Sequence, residues 1–409
     1  MSKYDLIVIG AGAAGLMAAG KAAERGKDVL LLEKNEQVGK KILITGKGRC
    51  NLTNDCEVEE MINNFPETGK FLYSALYTFS NWHLRSFFSD LGVETKVERG
   101  DRVFPVSDDA RDIVKALKKY IEQAGVKLKL NAKVTEVLTE DDEVKGVRIE
   151  SGSEYRADNV LIAVGGKAYP STGSSGDGYT IAKELGHKVK AVKPSLVPLE
   201  TKEQWVTEAQ GLNLRNVRAT LIVNGEEKEQ EFGEMLFTHF GISGPIVLTL
   251  SRDAVQYLDQ NIELSINLKP ALSFEKLDNR LQRDFAKYSR KQFKNSLGDL
   301  LPRKLIPVII ELSSIPSDKF VHQITTAERE ELIELLTNLK LTITSTRGFR
   351  EAIVTTGGID TTEIDPSTME SKLVSGLYFA GEIIDIDGYT GGFNLQAAFS
   401  TAYLVGSQI

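Results

Sequence analysis

The chain of 409 residues is poor in groups that would staple, anchor or metallate it. It has two cysteines, Cys50 and Cys56, and four histidines. Two thiols cannot build a disulfide scaffold, which points to a reducing, cytoplasmic compartment. No His, Cys or Asp spacing has the form of a ligand set, so no metal is expected. Positive charge is not in excess: 50 Lys and Arg face 57 Asp and Glu, for a formal net charge of −7. That balance weighs against a dedicated nucleic-acid binder, and no nucleic-acid partner is expected, although a local basic patch is not excluded. The most apolar stretch, Leu6 to Gly20, holds four glycines and is bounded by Asp5 and Lys21. It is too short for a membrane span, and no basic segment with a cleavage site opens the chain, so neither membrane attachment nor a signal peptide is expected. Internal repeats and low-complexity segments are also missing. What remains is a chain with 41% hydrophobic and 26% charged residues, which suits a globular protein with a sizeable core. At roughly 150 residues per domain, the length allows about two to three domains.

The first forty residues carry the clearest signal. Leu6-Ile7-Val8-Ile9 is a short apolar run of the kind found in buried parallel strands. It leads into Gly10-Ala11-Gly12-Ala13-Ala14-Gly15, then a helical pattern from Leu16 to about Arg25, closed by Gly26. A second apolar run, Val29 to Leu32, ends in Glu33 and Lys34. This is G-x-G-x-x-G within a βαβ unit, followed by an acid. Gly10 permits the tight turn, Gly12 admits a pyrophosphate to the backbone, and Gly15 lets helix and strand pack closely. The helix N-terminus, with Ala13 and Ala14, presents free amides and a positive dipole end to phosphate. Glu33 suits ribose hydroxyls, and an acid there favours FAD or NAD over NADP. A dinucleotide site is expected.

The next segment, Val38 to Asn54, is rich in Gly, Lys, Arg and Asn. An ordinary NAD dehydrogenase would have a plain crossover helix there. Lys41, Thr45, Gly46, Gly48, Arg49, Cys50 and Asn51 could instead wrap an extended cofactor, with amides, Lys and Arg on the pyrophosphate and small polar groups on a ribityl chain. The alternative is a solvated basic loop. Further along, Asn159 to Val164 reads as a strand containing Ala163 and ending at Gly165-Gly166, before Ser171 to Gly178, which includes Asp177, and then a helix. Near the C-terminus, Gly376 to Phe379 is another strand pattern, leading to Gly381-Glu382, Asp385 and Gly391-Gly392-Phe393-Asn394-Leu395-Gln396 at the start of a last helix. That helix's N-terminal amides suit the flavin edge where negative charge develops on reduction.

These motifs resemble the two-dinucleotide-fold flavoproteins, in particular the group of aminoacetone oxidase and the BaiN-type bile-acid dehydro-steroid reductases, with fumarate reductase flavoproteins as more distant relatives. The matching stretches are 10–16, 39–54, 165–179, 237–245, 355–359 and 376–402; together they span nearly the whole chain. The resemblance implies an α/β protein: a discontinuous Rossmann-like FAD-binding domain with an inserted α+β domain containing a barrel-like part and a helical part. It also implies non-covalent FAD, flavin contacts from Asp177 and Glu382, and adenine contact from backbone near Val134. Residues 34–82 contain no His, which argues against the covalent attachment used by some fumarate-reductase relatives.

The expected domains are 1–192 and 345–409 for the FAD-binding part and 193–344 for an insert covering the flavin. Within the first part, Val103 to Pro105, a helix from Asp109 to about Ala124, and strands at 127–130 and 134–138 are expected, with an acidic hairpin turn at 140–143. In the insert, strands are expected at 219–223, 231–237 and 262–268. A helical tract follows from 274 to 338, broken by Pro302, Pro307 and Pro316, and 341–344 returns to a strand where the FAD domain resumes. The charged stretch Arg280 to Lys294 reads as a solvated helix face or a partner site.

Catalytic candidates are His239, as general acid or base, or else a structural histidine at a hinge, and Tyr389 in the glycine-rich loop. Cys50 and Cys56 are separated by five residues, one more than in disulfide oxidoreductases of the glutathione-reductase type. No second G-x-G-x-x-G is present to hold NADPH. Function is therefore expected to be that of an FAD-dependent oxidoreductase on a small molecule, either an oxidase or a reductase using transient NADH or NADPH. The alternative is a flavin-binding regulatory or redox-sensing protein. Substrate and oligomeric state are not encoded in these motifs.

Overall fold

The computed structural model describes residues 3–409; Met1 and Ser2, the start of the expected first domain, lie outside the described residues. The described chain forms two compact units, residues 3–195 with 349–409, and residues 196–348.

The first unit is built on a seven-stranded sheet. Lys3–Ile9 pairs in parallel with Val29–Leu32 on one side and with Glu154–Ile162 on the other. Lys127–Lys129 extends the sheet beyond Val29–Leu32, and Leu377–Phe379 pairs in parallel with the end of Glu154–Ile162. The antiparallel strands Glu143–Ile149 and Val134–Glu140 complete it. Leu6 to Ile9 and Val29 to Leu32 are all buried, as continuous apolar runs in a parallel sheet must be. Helix Ala13–Glu24 buries nine residues, mostly Ala and Gly, and packs against the last helix, Phe393–Gln408. Small residues permit that approach: a Cβ on Gly406 would stand 2.7 Å from the Ala18 carbonyl oxygen. Helix Ala110–Gln123 starts from Asp109, whose carboxylate accepts the Arg111 amide, a side-chain N-cap.

The second unit contains a closed six-stranded barrel. Its order is Leu199–Thr201, Gly241–Ser243, Glu226–Phe237, Asn213–Val223, Ile262–Asn267 and Leu339–Thr346. Burial alternates along its strands: Ile262, Leu264 and Ile266 point inward, as do Leu339, Leu341 and Ile343. This is the period of two that a small barrel needs to fill its interior. Helices Phe274–Lys287, Leu305–Leu312 and Thr326–Thr337 belong to the same unit and join its core through Leu277, Leu281, Val308, Leu332 and Leu336.

Two local expectations change. Pro307 does not break the helical tract: it lies in the first turn of Leu305–Leu312, where no amide is required of it. Strand Leu339–Thr346 closes the barrel against Ile262–Asn267 and Leu199–Thr201. Strand Glu226–Phe237 starts five residues before the expected 231, after an Asn224-Gly225 turn with both residues at positive φ, the signature of a tight hairpin. Among the described residues, no helix is long and apolar enough to cross a membrane.

Candidate functional site

All the parallel strands of the first unit end at one edge of the sheet, and the sequence motifs lie at those ends. Gly10 follows Ile9, Glu33 follows Leu32, Ala163 follows Ile162 and Ala380-Gly381 follow Phe379. In an open parallel sheet this carboxyl edge is where ligands bind.

The turn around Gly10 is exacting. Gly10 has φ +98°, and a Cβ there would stand 2.7 Å from the Ala163 carbonyl oxygen. A Cβ on Gly15 would stand 1.7 Å from the Gly10 carbonyl oxygen. A Cβ on Gly12 would meet nothing within 4 Å. Gly12 is the N-cap of helix Ala13–Glu24 and provides no side-chain cap, so no side chain occupies the first-turn amides. Glu33 is buried; one carboxylate oxygen accepts the Ala11 amide at 2.7 Å and the other accepts the Asn35 amide at 2.8 Å. It thus ties the end of one strand to the glycine turn at the end of its neighbour. Ala132 donates its amide to the Glu33 carbonyl at 2.9 Å, which brings the chain just before buried Val134 to the same edge.

Distant motifs meet here through charged pairs. Lys34 binds Asp177 at 2.8 Å and Ser175 at 2.5 Å. Burial alone would raise the Asp177 pKa, but the Lys34 and Ser175 hydrogen bonds outweigh it and hold the carboxyl below its usual range. Lys41 binds Glu382 at 2.5 Å, and the second Glu382 oxygen accepts the Thr355 amide at 2.9 Å. The Thr355 hydroxyl accepts the amides of Lys167 and Ala168, at 2.8 and 3.0 Å. A Cβ on Gly166 would collide with that hydroxyl. A Cβ on Gly381 would stand 3.2 Å from the Ala14 Cβ, and Gly165 lies beside Ser174.

The loop from Lys41 to Asn51 is held in unusual backbone conformations. Gly46, Lys47, Gly48 and Cys50 all have positive φ. The Thr45 hydroxyl donates to the Ile42 carbonyl, and the Cys50 amide donates to the Thr45 carbonyl. Burial pushes the Cys50 thiol up to about 12, so it is neutral and a poor nucleophile. Asn51 Oδ1 is buried without a hydrogen-bond partner. An orphaned polar atom of this kind costs free energy unless a ligand or water meets it.

The last helix joins the same loop region. Asn54 donates to the Gly391 carbonyl at 3.2 Å. Gly392 is the N-cap of Phe393–Gln408, without a side-chain cap, and Phe393 is buried. Other candidates are spent on the protein. Arg49 pairs with Glu98 and with Asp108 and stacks 4.2 Å from the Phe104 ring centroid. Gln396 is fully buried, bonded to Thr53, Phe79 and Ser400. Asn394 clamps the Gly388 amide and carbonyl, both at 2.8 Å. Asp385 is buried and pairs with Lys190 at 2.7 Å. The Tyr389 amide donates to the Asn64 carbonyl at 3.0 Å. His239 lies in the second unit, exposed, edge-on to Phe240 with centroids 5.0 Å apart.

Asn35 and Thr355 join the site without a motif of their own. Asn35 follows the Glu33-Lys34 pair directly and Thr355 opens the 355–359 stretch, but the role of each depends on a contact with a remote segment.

The residues present fit a dinucleotide such as FAD. The amides after Gly12 have no side-chain cap and Gly12 itself has room beside it, an acid stands at the end of the second strand, and the Asn51 oxygen is left without a partner.

Comparisons with known proteins agree with this architecture. The chain is 34% identical over 404 residues to a 3-dehydro-bile acid delta(4,6)-reductase of Clostridium scindens, covering 98% of this chain and 97% of that protein. It is also 34% identical over 408 residues to a ribosomal RNA dihydrouridine synthase of Haemophilus influenzae, covering 98% of each. Among solved structures, the open conformation of a flavocytochrome c3 fumarate reductase superposes with a TM-score of 0.53 at 17% identity, over 99% of this chain and 77% of that one; this likeness shows the fold alone. With a mixed α/β Rossmann architecture and a family match across residues 4–408, the chain belongs to the HI0933-like protein Rossmann domain family of flavoprotein oxidoreductases.

Proposed function

We propose that this protein is an FAD-dependent reductase of carbon–carbon double bonds conjugated to a carbonyl. The observation that carries the reading is the gathering of the motifs at one carboxyl edge, with open space before Gly12 and the Lys41–Glu382–Thr355 cluster beside Gly166. The reaction class is supported by what two relatives of different substrate scale share. A bile-acid delta(4,6)-reductase and a dihydrouridine synthase both carry names for reducing a double bond next to a carbonyl.

When bound, FAD supplies hydride transfer. The amides after Gly12 would hold its pyrophosphate, and Glu33 would take the adenosine ribose. The backbone near Val134 would face adenine. Lys41 and Glu382 hold each other in place, and the first turn of Phe393–Gln408, which no side chain caps, would present its positive dipole end to the flavin. His239 is the candidate proton donor to substrate; its test is loss of turnover in His239→Ala with full flavin content.

The small-molecule substrate expected from sequence is the first reading of scale, with a transient NADH or NADPH as donor. A base within RNA is the second, favoured by the full-length likeness to a ribosomal RNA dihydrouridine synthase. The deciding experiment is anaerobic mixing of the yellow protein with NADH and NADPH, followed by a conjugated enone or a uridine-containing RNA. Bleaching of the flavin band by a nicotinamide, reversed by one of these acceptors, supports the reading. Bleaching by an amine donor, with peroxide formed on readmitting oxygen, overturns it in favour of an oxidase.

A further inference from the structure

The chain is acidic overall, yet one segment of its second unit is strongly basic. Between residues 276 and 294 there are seven Lys and Arg against two Asp. Lys276, Arg280, Arg283 and Lys287 recur at helical spacing along Phe274–Lys287, on a face adjacent to the buried Leu277, Leu281 and Phe285. Arg290, Lys291 and Lys294 continue the basic run just past the helix end.

Both aspartates of this segment are already neutralised. Asp278 is held by Arg329, and Asp284 by Arg280 at 2.8 Å. Asp299, from the following loop, takes Lys287 at 2.6 Å. Glu275 stands exposed in the first turn of the helix. Lys276, Arg283, Arg290, Lys291 and Lys294 are exposed and make no ion pair among the described residues. Lys276, Arg280 and Arg283 also line a shallow depression with Leu272 and Asn279. Lys291 lies 4.3 Å from the Tyr288 ring centroid, which fixes one cation against an aromatic face.

Soluble surfaces commonly intersperse the two signs. Here Asp278, Asp284 and Asp299 are paired, which leaves Lys276 and Arg283 on one helix face and Arg290, Lys291 and Lys294 in the chain just beyond it. From Lys276 to Arg283 this ridge runs about 10 Å along the helix axis, at about 1.5 Å per residue, and then continues through the loop. Such a ridge suits a polyanion with regularly spaced charges, to which it can make several phosphate contacts at once.

We infer that the basic ridge from Lys276 to Lys294 is an RNA-docking surface that contacts the phosphate backbone. The inference rests on the RNA reading of the proposed function and identifies the part of this chain that would hold such a substrate. Arg283 is suited to forked phosphate contacts and the lysines to point contacts. These contacts set position and affinity, not base identity.

The test compares the flavin-loaded protein with an Arg283→Glu, Arg290→Glu, Lys291→Glu variant. Protein-free ribosomal RNA is the probe, over a series of KCl concentrations. The variant is expected to keep its flavin spectrum and to bind RNA at least tenfold more weakly. Its plot of log affinity against log salt should flatten by about two, since each lost phosphate contact removes about 0.7 to 0.9 from the slope. Unchanged affinity and slope, with dihydrouridine still formed in the RNA, would remove the ridge while leaving the RNA reading intact. Reduction of a steroid enone by wild type, with no RNA binding at low salt, would overturn both. Binding to vesicles containing phosphatidylglycerol that is stronger than binding to RNA, and lost in the variant, would overturn the inference in favour of a lipid surface.

Discussion

The two units are specified by different physics. At the sheet edge of the first unit, position after position is decided by backbone approach: at Gly10 and Gly15 a single methyl group has no room, whereas at Gly12 it does. In the barrel of the second unit, side-chain alternation decides, and what matters is which residues face inward. A site built from backbone is intolerant of added atoms. A barrel filled by side chains is sensitive to removed ones.

That contrast can be broken by substitution. Gly15→Val places atoms onto the Gly10 carbonyl and should abolish soluble, flavin-bearing protein; recovery of folded holoprotein on a sizing column would defeat the account of this turn. Phe237→Ala, at a fully buried barrel position, should cost about 3–5 kcal/mol in urea unfolding of the second unit while the flavin spectrum persists. Loss of flavin from a still-folded Phe237→Ala protein would show that the two regions are not independently specified.

Two subtler changes sharpen the comparison within the first unit. Gly12→Ala adds a methyl into open space at φ −84°, so the fold should be unaffected while FAD affinity falls by about tenfold, the equivalent of about 1.4 kcal/mol. A titration showing equal affinity would place the pyrophosphate elsewhere. Glu33→Ala removes the acceptor of the Ala11 and Asn35 amides. It should therefore lower both stability, by about 1–3 kcal/mol, and FAD affinity, in contrast to Gly12→Ala. Equal melting temperatures for wild type and Glu33→Ala would contradict this.

A smaller effect concerns pH. His187 is buried in the first unit, its Nε2 2.9 Å from the Ser371 hydroxyl and its Nδ1 3.3 Å from Glu363. Burial lowers its pKa below the ordinary histidine value of 6.5, against the opposing pull of Glu363. The folded state therefore holds the proton less well than the unfolded state. This contribution to stability is complete above pH about 6.5 and is lost as pH falls toward the folded value. Unfolding midpoints at pH 7.5 and 5.5 should differ, with a slope no steeper than about 1.4 kcal/mol per pH unit, and His187→Gln should remove that share. A slope unchanged in His187→Gln would assign the pH dependence to other groups.

Much of the first unit was legible in the residues themselves. Continuous apolar runs marked its parallel strands, and glycine spacing marked the turn at Gly10. The first five residues of strand Glu226–Phe237, Glu-Glu-Lys-Glu-Gln, carry no apolar alternation and are not marked as strand by their sequence. They are held by pairing with Asn213–Val223, which is a tertiary fact. Pro307 looked like a helix breaker because position within a turn, which makes it harmless, is not visible in composition.

The candidate site divides in the same way. Local spacing was enough to mark Gly10, Gly12, Gly15 and Glu33, because the βαβ turn is formed by consecutive residues whose steric demands are fixed by their own backbone. Which charges meet was decided only by the fold. Lys41 finds Glu382 across 341 residues of chain, Lys34 finds Asp177, and Arg49 is drawn away to Glu98 and Asp108. A charged side chain carries no record of its partner in its own sequence neighbourhood. Its role is set by what the packed chain places within a hydrogen bond's reach.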